Sequence, residues 1–124
     1  MKTFRILGLL MSYPQPDWIS YLDECSSLLV EEALLPKKRL QGVLDFIEEL
    51  KTSDLYSIQE DYVATFDRGR SHCLHLFEHI HGESRDRGQA MVNLANAYEE
   101  KGFFMDQSEL PDYIPLFLEF LSLC

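Results

Sequence analysis

Apolar side chains recur along this chain at three- and four-residue intervals, and that spacing commits it to helices before anything else is weighed. Trp18, Tyr21, Leu22, Cys25, Leu28 and Leu29 form one stripe, with Asp17 placed to cap it after Pro16. Leu40, Val43, Leu44, Ile47 and Leu50 form the next, with Pro36 at its start and Lys51 at its dipole-negative end. Leu55, Ile58, Tyr62 and Phe66 make a third, capped by Ser53 or Asp54. Met91, Leu94, Ala95 and Tyr98 make a fourth, closed by Gly102 just past its end. Ile114, Phe117, Leu118 and Leu121 make a last one, with Pro111 and Pro115 confined to its beginning. A shorter helix over Thr3 to Met11 precedes them all and stops before Tyr13-Pro14. No segment keeps the period-two alternation of a half-buried strand, so no sheet is expected. The spacing predicts an all-α bundle of about six helices, one domain over residues 1–124.

Composition narrows the partners. A chain of 124 residues holds one core and not two, and 46% hydrophobic content is that of a folded protein. A formal net charge of −10 repels nucleic acid phosphate and attracts a basic peptide. The apolar run Ile6 to Met11 is too short to span a membrane. Cys25, Cys73 and Cys124 are odd in number and irregular in spacing, which predicts no disulfide framework and a reducing, cytoplasmic home.

Against this regular background one stretch departs. Phe66 to Met91, FDRGRSHCLHLFEHIHGESRDRGQAM, gathers four arginines, four histidines and three glycines into a loop with one short helix, and local departures of this kind mark functional or strained sites. A metal site is one reading, since His72, Cys73, His75, His79 and His81 are ligand types for zinc. No CxxC or HExxH frame accompanies them, so histidines that cap helix ends, bond carbonyls or contact a peptide are the better reading. A Cys73–histidine nucleophile is a second, but sequence neighbours on a helix do not face each other. No nucleophile elbow, P-loop or dinucleotide fingerprint is present either, so catalysis is not expected. Arg68, Arg70, Arg85 and Arg87 are a third, either clamping a phosphate group or pairing with Asp67, Glu78, Glu83 and Asp86 to lock the loop. The alternation of acids with arginines favours locking. Further on, Glu109-Leu110-Pro111-Asp112-Tyr113 reads structurally as a helix start, proline first and acids at the positive end of the dipole.

Taken together, FDRGR, LFEHIHGESRDRGQAM and ELPDYIPLFLEFL resemble the nitrate reductase delta-subunit family, the NarJ/NarW-type branch of the redox-enzyme maturation chaperones related to TorD and DmsD. The likeness runs from Asp61 to Leu121, and ILGLLMSYP resembles the family's first helix with its Tyr-Pro turn. Glu109 to Tyr113 resembles the E-P-x-D-H signature of the wider superfamily, with Leu110 in place of its proline and Tyr113 in place of its histidine. The resemblance implies an all-helical cytoplasmic chaperone that is neither an enzyme nor a subunit of the finished enzyme. It implies binding of the N-terminal peptide of the alpha subunit of a respiratory nitrate reductase until the molybdenum cofactor is inserted, and a hold on premature membrane docking. No cofactor would be bound permanently, and molybdenum cofactor biosynthesis proteins would be further partners. The family continues with more helices than this chain carries, so the resemblance also implies a bundle lacking the family's C-terminal helices, with apolar surface that a homodimer would cover.

A client helix is read at i, i+3 and i+4 anchors in an apolar groove. Leu76, Phe77, Ile80 and the face from Tyr113 to Phe117 are expected to line it, with Glu78, Glu109 and Asp112 at the rim to attract basic residues. His79 and His81 would add hydrogen bonds, and Arg68, Arg70, Arg85 and Arg87 would meet the cofactor's pyrophosphate. Two other classes stand as alternatives: a small His/Cys metal-binding helical protein, and a helical oligomerisation module without a client.

Overall fold

Proline starts three of the helices and glycine closes one in the computed structural model, which describes residues 1–67, 72–81, 85–104 and 109–124. Among the described residues eight α-helices are found: α1 (Lys2–Leu10), α2 (Pro16–Ile19), α3 (Leu22–Glu32), α4 (Lys37–Thr52), α5 (Leu55–Tyr62), α6 (Leu76–Ile80), α7 (Asp86–Glu100) and α8 (Ile114–Ser122). α5 runs directly into a turn of π-helix, Val63–Asp67. The one pairing of extended backbone among the described residues is a single antiparallel bridge between His75 and Tyr113.

The all-α expectation holds, with more and shorter helices than the apolar stripes indicate. The stripe from Trp18 to Leu29 is divided, because the backbone leaves α2 at Ser20 and restarts with Tyr21 before α3. Pro16 takes the first helical position, so the cap falls on Gln15 and Asp17 lies inside the first turn. α7 begins at Asp86, a turn before its apolar stripe. It closes where Gly102 adopts φ +74° and donates its N–H to the Glu99 carbonyl at 2.9 Å. The Phe103 N–H reaches the Tyr98 carbonyl at 2.8 Å and the two rings meet at 5.2 Å, which completes a Schellman closure with its apolar contact.

Asp54 is the cap of α5. Its Oδ2 accepts the Ser57 N–H at 3.1 Å and the Ser57 hydroxyl at 2.9 Å, and these bonds hold its carboxyl below the usual carboxylate range. A carboxylate stabilised in this way supports the fold at neutral pH and stops doing so as pH falls through its lowered pKa. Asp54→Ala should therefore lower Tm by a few degrees at pH 7. The gap from the parent chain should close in acid; a gap of the same size at pH 7 and in acid would show that the carboxylate is not the source.

The core is built where α1, α3, α4 and α5 meet around Ile6, Leu22, Leu29, Ile47 and Ile58. α8 packs along α1, and the two run antiparallel: the Met1 ammonium donates to the Ser122 carbonyl at 2.8 Å while Gly8 lies against Pro115. A Cβ on Gly8 would come within 3.0 Å of the Pro115 carbonyl oxygen. Glycine is required here for the close approach of two backbones. A second, aromatic cluster of Tyr98, Phe103 and Phe120 joins α7 to α8.

Candidate functional site

Most of the motif residues singled out in the sequence meet where α6 approaches the start of α8. The chain before α6 pairs with the turn before α8 through a bridge from His75 to Tyr113. Leu76 donates its N–H to the Asp112 carbonyl at 3.0 Å, and Ile114 donates to the Leu74 carbonyl at 2.7 Å. The Asp112 carboxylate accepts the Phe77 N–H through Oδ2 at 2.9 Å. Leu110, Pro111 and Tyr113 complete the turn: Tyr113 donates its N–H to the Leu110 carbonyl at 3.1 Å, and the Tyr98 hydroxyl donates to the Pro111 carbonyl at 2.5 Å. Burial pushes the Tyr98 phenol well above its ordinary range, and the nearby Asp112 charge adds to that. Tyr98 therefore stays a neutral donor at any physiological pH.

Asp112 corrects the expectation of a rim carboxylate. It is 0% exposed, because its side chain and its own carbonyl both satisfy amides at the start of α6, where helix N–H groups lack intrahelical partners. Its role is to fasten α6 to α8. The segment Glu109 to Tyr113 is accordingly a turn and a clasp, with α8 itself starting at Ile114.

Two residues of that turn, Glu109 and Tyr113, line an open groove of about 640 Å³ between α1, α3 and α8. Ile6 and Leu9 from α1, Leu28 from α3, and Pro115 and Leu116 from α8 supply apolar walls, while Glu24, Glu109 and Glu119 supply carboxylates and Lys2 and Arg5 cations. Sequence reasoning placed the face from Tyr113 to Phe117 in a groove, with Glu109 at its rim, but missed the walls from α1 and α3. A signal was present: α8, IPLFLEFLS, is apolar nearly all round, as a helix is when it is covered on one side by the core and offers the other to something else. Tyr62 links this groove to the π-helical turn. Its hydroxyl donates to the Met11 carbonyl at 3.2 Å, its ring packs against Tyr13 and Phe66, and burial, with the Tyr113 phenol beside it, pushes its own phenol up.

The other expected groove residues sit apart from that cavity. Leu76, Phe77, Glu78, His79 and Ile80 form α6, which His81 ends. Ile80 is exposed, Phe77 meets the His81 ring at 5.2 Å, and a His79 ring nitrogen lies 2.7 Å from the Cys73 carbonyl. Glu78 pairs with Arg87 at 3.1 Å, which ties α6 to α7. Arg85 precedes α7 and is exposed, while Arg68 and Arg70 lie outside the described residues. Phe117 is half-buried on α8. Among the described residues no group of three or more His, Cys, Asp or Glu is placed to hold a metal ion, and no helix is long and apolar enough to cross a membrane.

Residues 28–124 match the family model described as nitrate reductase delta subunit. The chain is 46% identical, over 98% of its length, to the "Probable nitrate reductase molybdenum cofactor assembly chaperone NarW" of Escherichia coli (strain K12). It is 42% identical, over 94% of its length, to the nitrate reductase molybdenum cofactor assembly chaperone NarJ of the same organism. Each alignment covers 50% of the relative, so the chain spans about half the length of the curated relatives it matches. The crystal structure of a protein from Archaeoglobus fulgidus ascribed to redox enzyme maturation superimposes with a TM-score of 0.67, covering 97% of this chain and 68% of the other at 24% identity. That likeness establishes the shared fold.

Proposed function

The chain belongs to the nitrate reductase delta subunit family, and from that premise we propose that it is an assembly chaperone, without enzymatic activity, for a respiratory nitrate reductase. In this reading it works in the cytoplasm, binds the N-terminal peptide of the alpha subunit, and keeps that subunit open to molybdenum cofactor insertion and away from the membrane. The names of the relatives support the chaperone role and the link to the cofactor.

The observation that carries the reading is the groove between α1, α3 and α8. Ile6, Leu9, Leu28, Tyr113, Pro115 and Leu116 give it apolar walls, and Glu24, Glu109 and Glu119 line it with one more charge than the cations Lys2 and Arg5. An amphipathic peptide helix laid there buries its apolar face, while the carboxylates draw in its basic residues and speed encounter. Tyr113 is the natural anchor, being aromatic, half-buried and held by the clasp at Asp112. The anchors proposed first on α6, Leu76, Phe77 and Ile80, then form a second contact surface outside the groove.

Isothermal titration with a synthetic N-terminal peptide of a nitrate reductase alpha subunit tests this. Saturable binding at one peptide per chain is expected, weakened at least about tenfold by Tyr113→Ala. A folded, helical sample that binds no peptide would exclude this chain as the peptide receptor. Equal affinity in the Tyr113 variant would move the site out of the groove.

A further inference from the structure

Cys73 and His75 face each other, contrary to the helical reading of their spacing. The chain bends at Leu74 between them, and only His75 itself is extended, paired across to Tyr113. The Cys73 Sγ lies 3.8 Å from His75 Nδ1 and accepts the His75 backbone N–H at 3.4 Å. The other ring nitrogen, Nε2, lies 3.7 Å from the Glu109 Oε1. The bridge to Tyr113, whose ring lies 5.6 Å from the imidazole, holds the segment in place. A carboxylate facing Nε2 favours the tautomer with its proton there, leaving Nδ1 free to accept the thiol proton. Nucleophile, base and orienting acid thus stand in sequence, the acid coming from a part of the chain more than thirty residues away.

We propose that Cys73, His75 and Glu109 form a reactive-thiol site at which Cys73 undergoes exchange with low-molecular-weight disulfides. His75 takes the proton from Sγ. The thiolate attacks one sulfur of the disulfide, the new S–S bond forms as the old one breaks, and the released thiolate takes the proton from His75. Cys73 ends oxidised to a mixed disulfide and the departing half is reduced to a thiol, so electrons and protons balance. Glu109 is a positioning residue for the imidazole.

The other cysteines supply internal controls. Cys25 is buried, and burial together with the adjacent Glu24 pushes its thiol up. Cys124 is exposed and donates its S–H to the Phe120 carbonyl at 3.6 Å. Half-buried Cys73 should nevertheless react faster than exposed Cys124, which access alone does not allow.

The test is timed labelling of the whole chain with iodoacetamide, and separately with oxidised glutathione, each site read by mass spectrometry at pH 7. Cys73 is expected to label about tenfold faster than Cys124, the order of gain a neighbouring imidazole gives a thiol. Glutathione should add there as one dithiothreitol-reversible disulfide. His75→Ala should remove the advantage, and added free imidazole should restore part of it. Equal rates at Cys73 and Cys124 in the parent chain would overturn the proposal. So would a loss in His75→Ala that imidazole does not restore, since that marks a packing role only. Glu109→Gln changes an exposed carboxylate and keeps the measurement decisive should His75→Ala unfold: a several-fold slower Cys73 supports the relay, and an unchanged one removes it.

Discussion

Tyr98→Ala should cost about 3–5 kcal/mol of folding stability, the range for deleting a large buried aromatic. Tyr98 is 1% exposed, and its ring touches both Phe103 and Phe120. Truncation therefore opens a cavity between α7 and α8. It also strips the half-buried Pro111 carbonyl of the Tyr98 hydroxyl, and an acceptor shielded from water and left unpaired carries its own penalty. Tyr98→Phe separates the two effects: it keeps the ring and should cost only about 1–2 kcal/mol. Urea denaturation followed by helical circular dichroism measures both. A loss below about 1 kcal/mol for the alanine variant would mean that α7 and α8 unfold independently of the core.

Gly8→Val should cost about 1–3 kcal/mol through overpacking. The added Cβ meets the Pro115 carbonyl oxygen at 3.0 Å and the Leu118 Cβ at 3.5 Å, and a backbone oxygen cannot swing aside as the end of a flexible side chain can. α8 must move outward, and with it Pro115 and Leu116, which wall the groove. Lower stability and weaker peptide binding are therefore expected together. Gly42→Ala is the matched control: it lies within α4 with nothing inside 4 Å of its built Cβ, so it should gain roughly 0.5–1 kcal/mol from helix propensity. A Gly8→Val chain as stable as its parent would remove the close α1–α8 contact.

The parts of the fold that could be read in advance are those written locally. The stripes through Ile47, Leu29 and Tyr98 carry their own period, and Asp54 and Gly102 mark helix ends by chemistry that acts within a few residues. The break at Tyr21 was not legible, because apolar spacing continues across it while the backbone does not. Asp112 reads from sequence as a rim carboxylate that attracts basic residues. Its actual partners, the Phe77 and Leu76 amides, lie 35 and 36 residues away in sequence. Helical spacing speaks against a pairing of Cys73 with a neighbouring histidine, and only the bend at Leu74 and the long-range bridge from His75 to Tyr113 take this stretch out of a helix. At the family motif, Glu109 to Tyr113, the geometry divides the residues: Asp112 turns inward as a clasp, and Glu109 and Tyr113 line the groove.

The antiparallel seam between α1 and α8 also fixes an order of events during synthesis. α1 is made first and finds α3 early, but the side that holds Gly8 has no cover until Ile114–Ser122 has been translated. At about 5–20 residues per second that delay is roughly 5–20 s. Closing so long a loop adds little to the equilibrium cost, since each doubling of length adds only about 0.6 kcal/mol. Its weight is kinetic. A nascent chain stalled before α8 carries an uncovered glycine-notched face, and the contact that joins Met1 to Ser122 cannot form until α8 has been made.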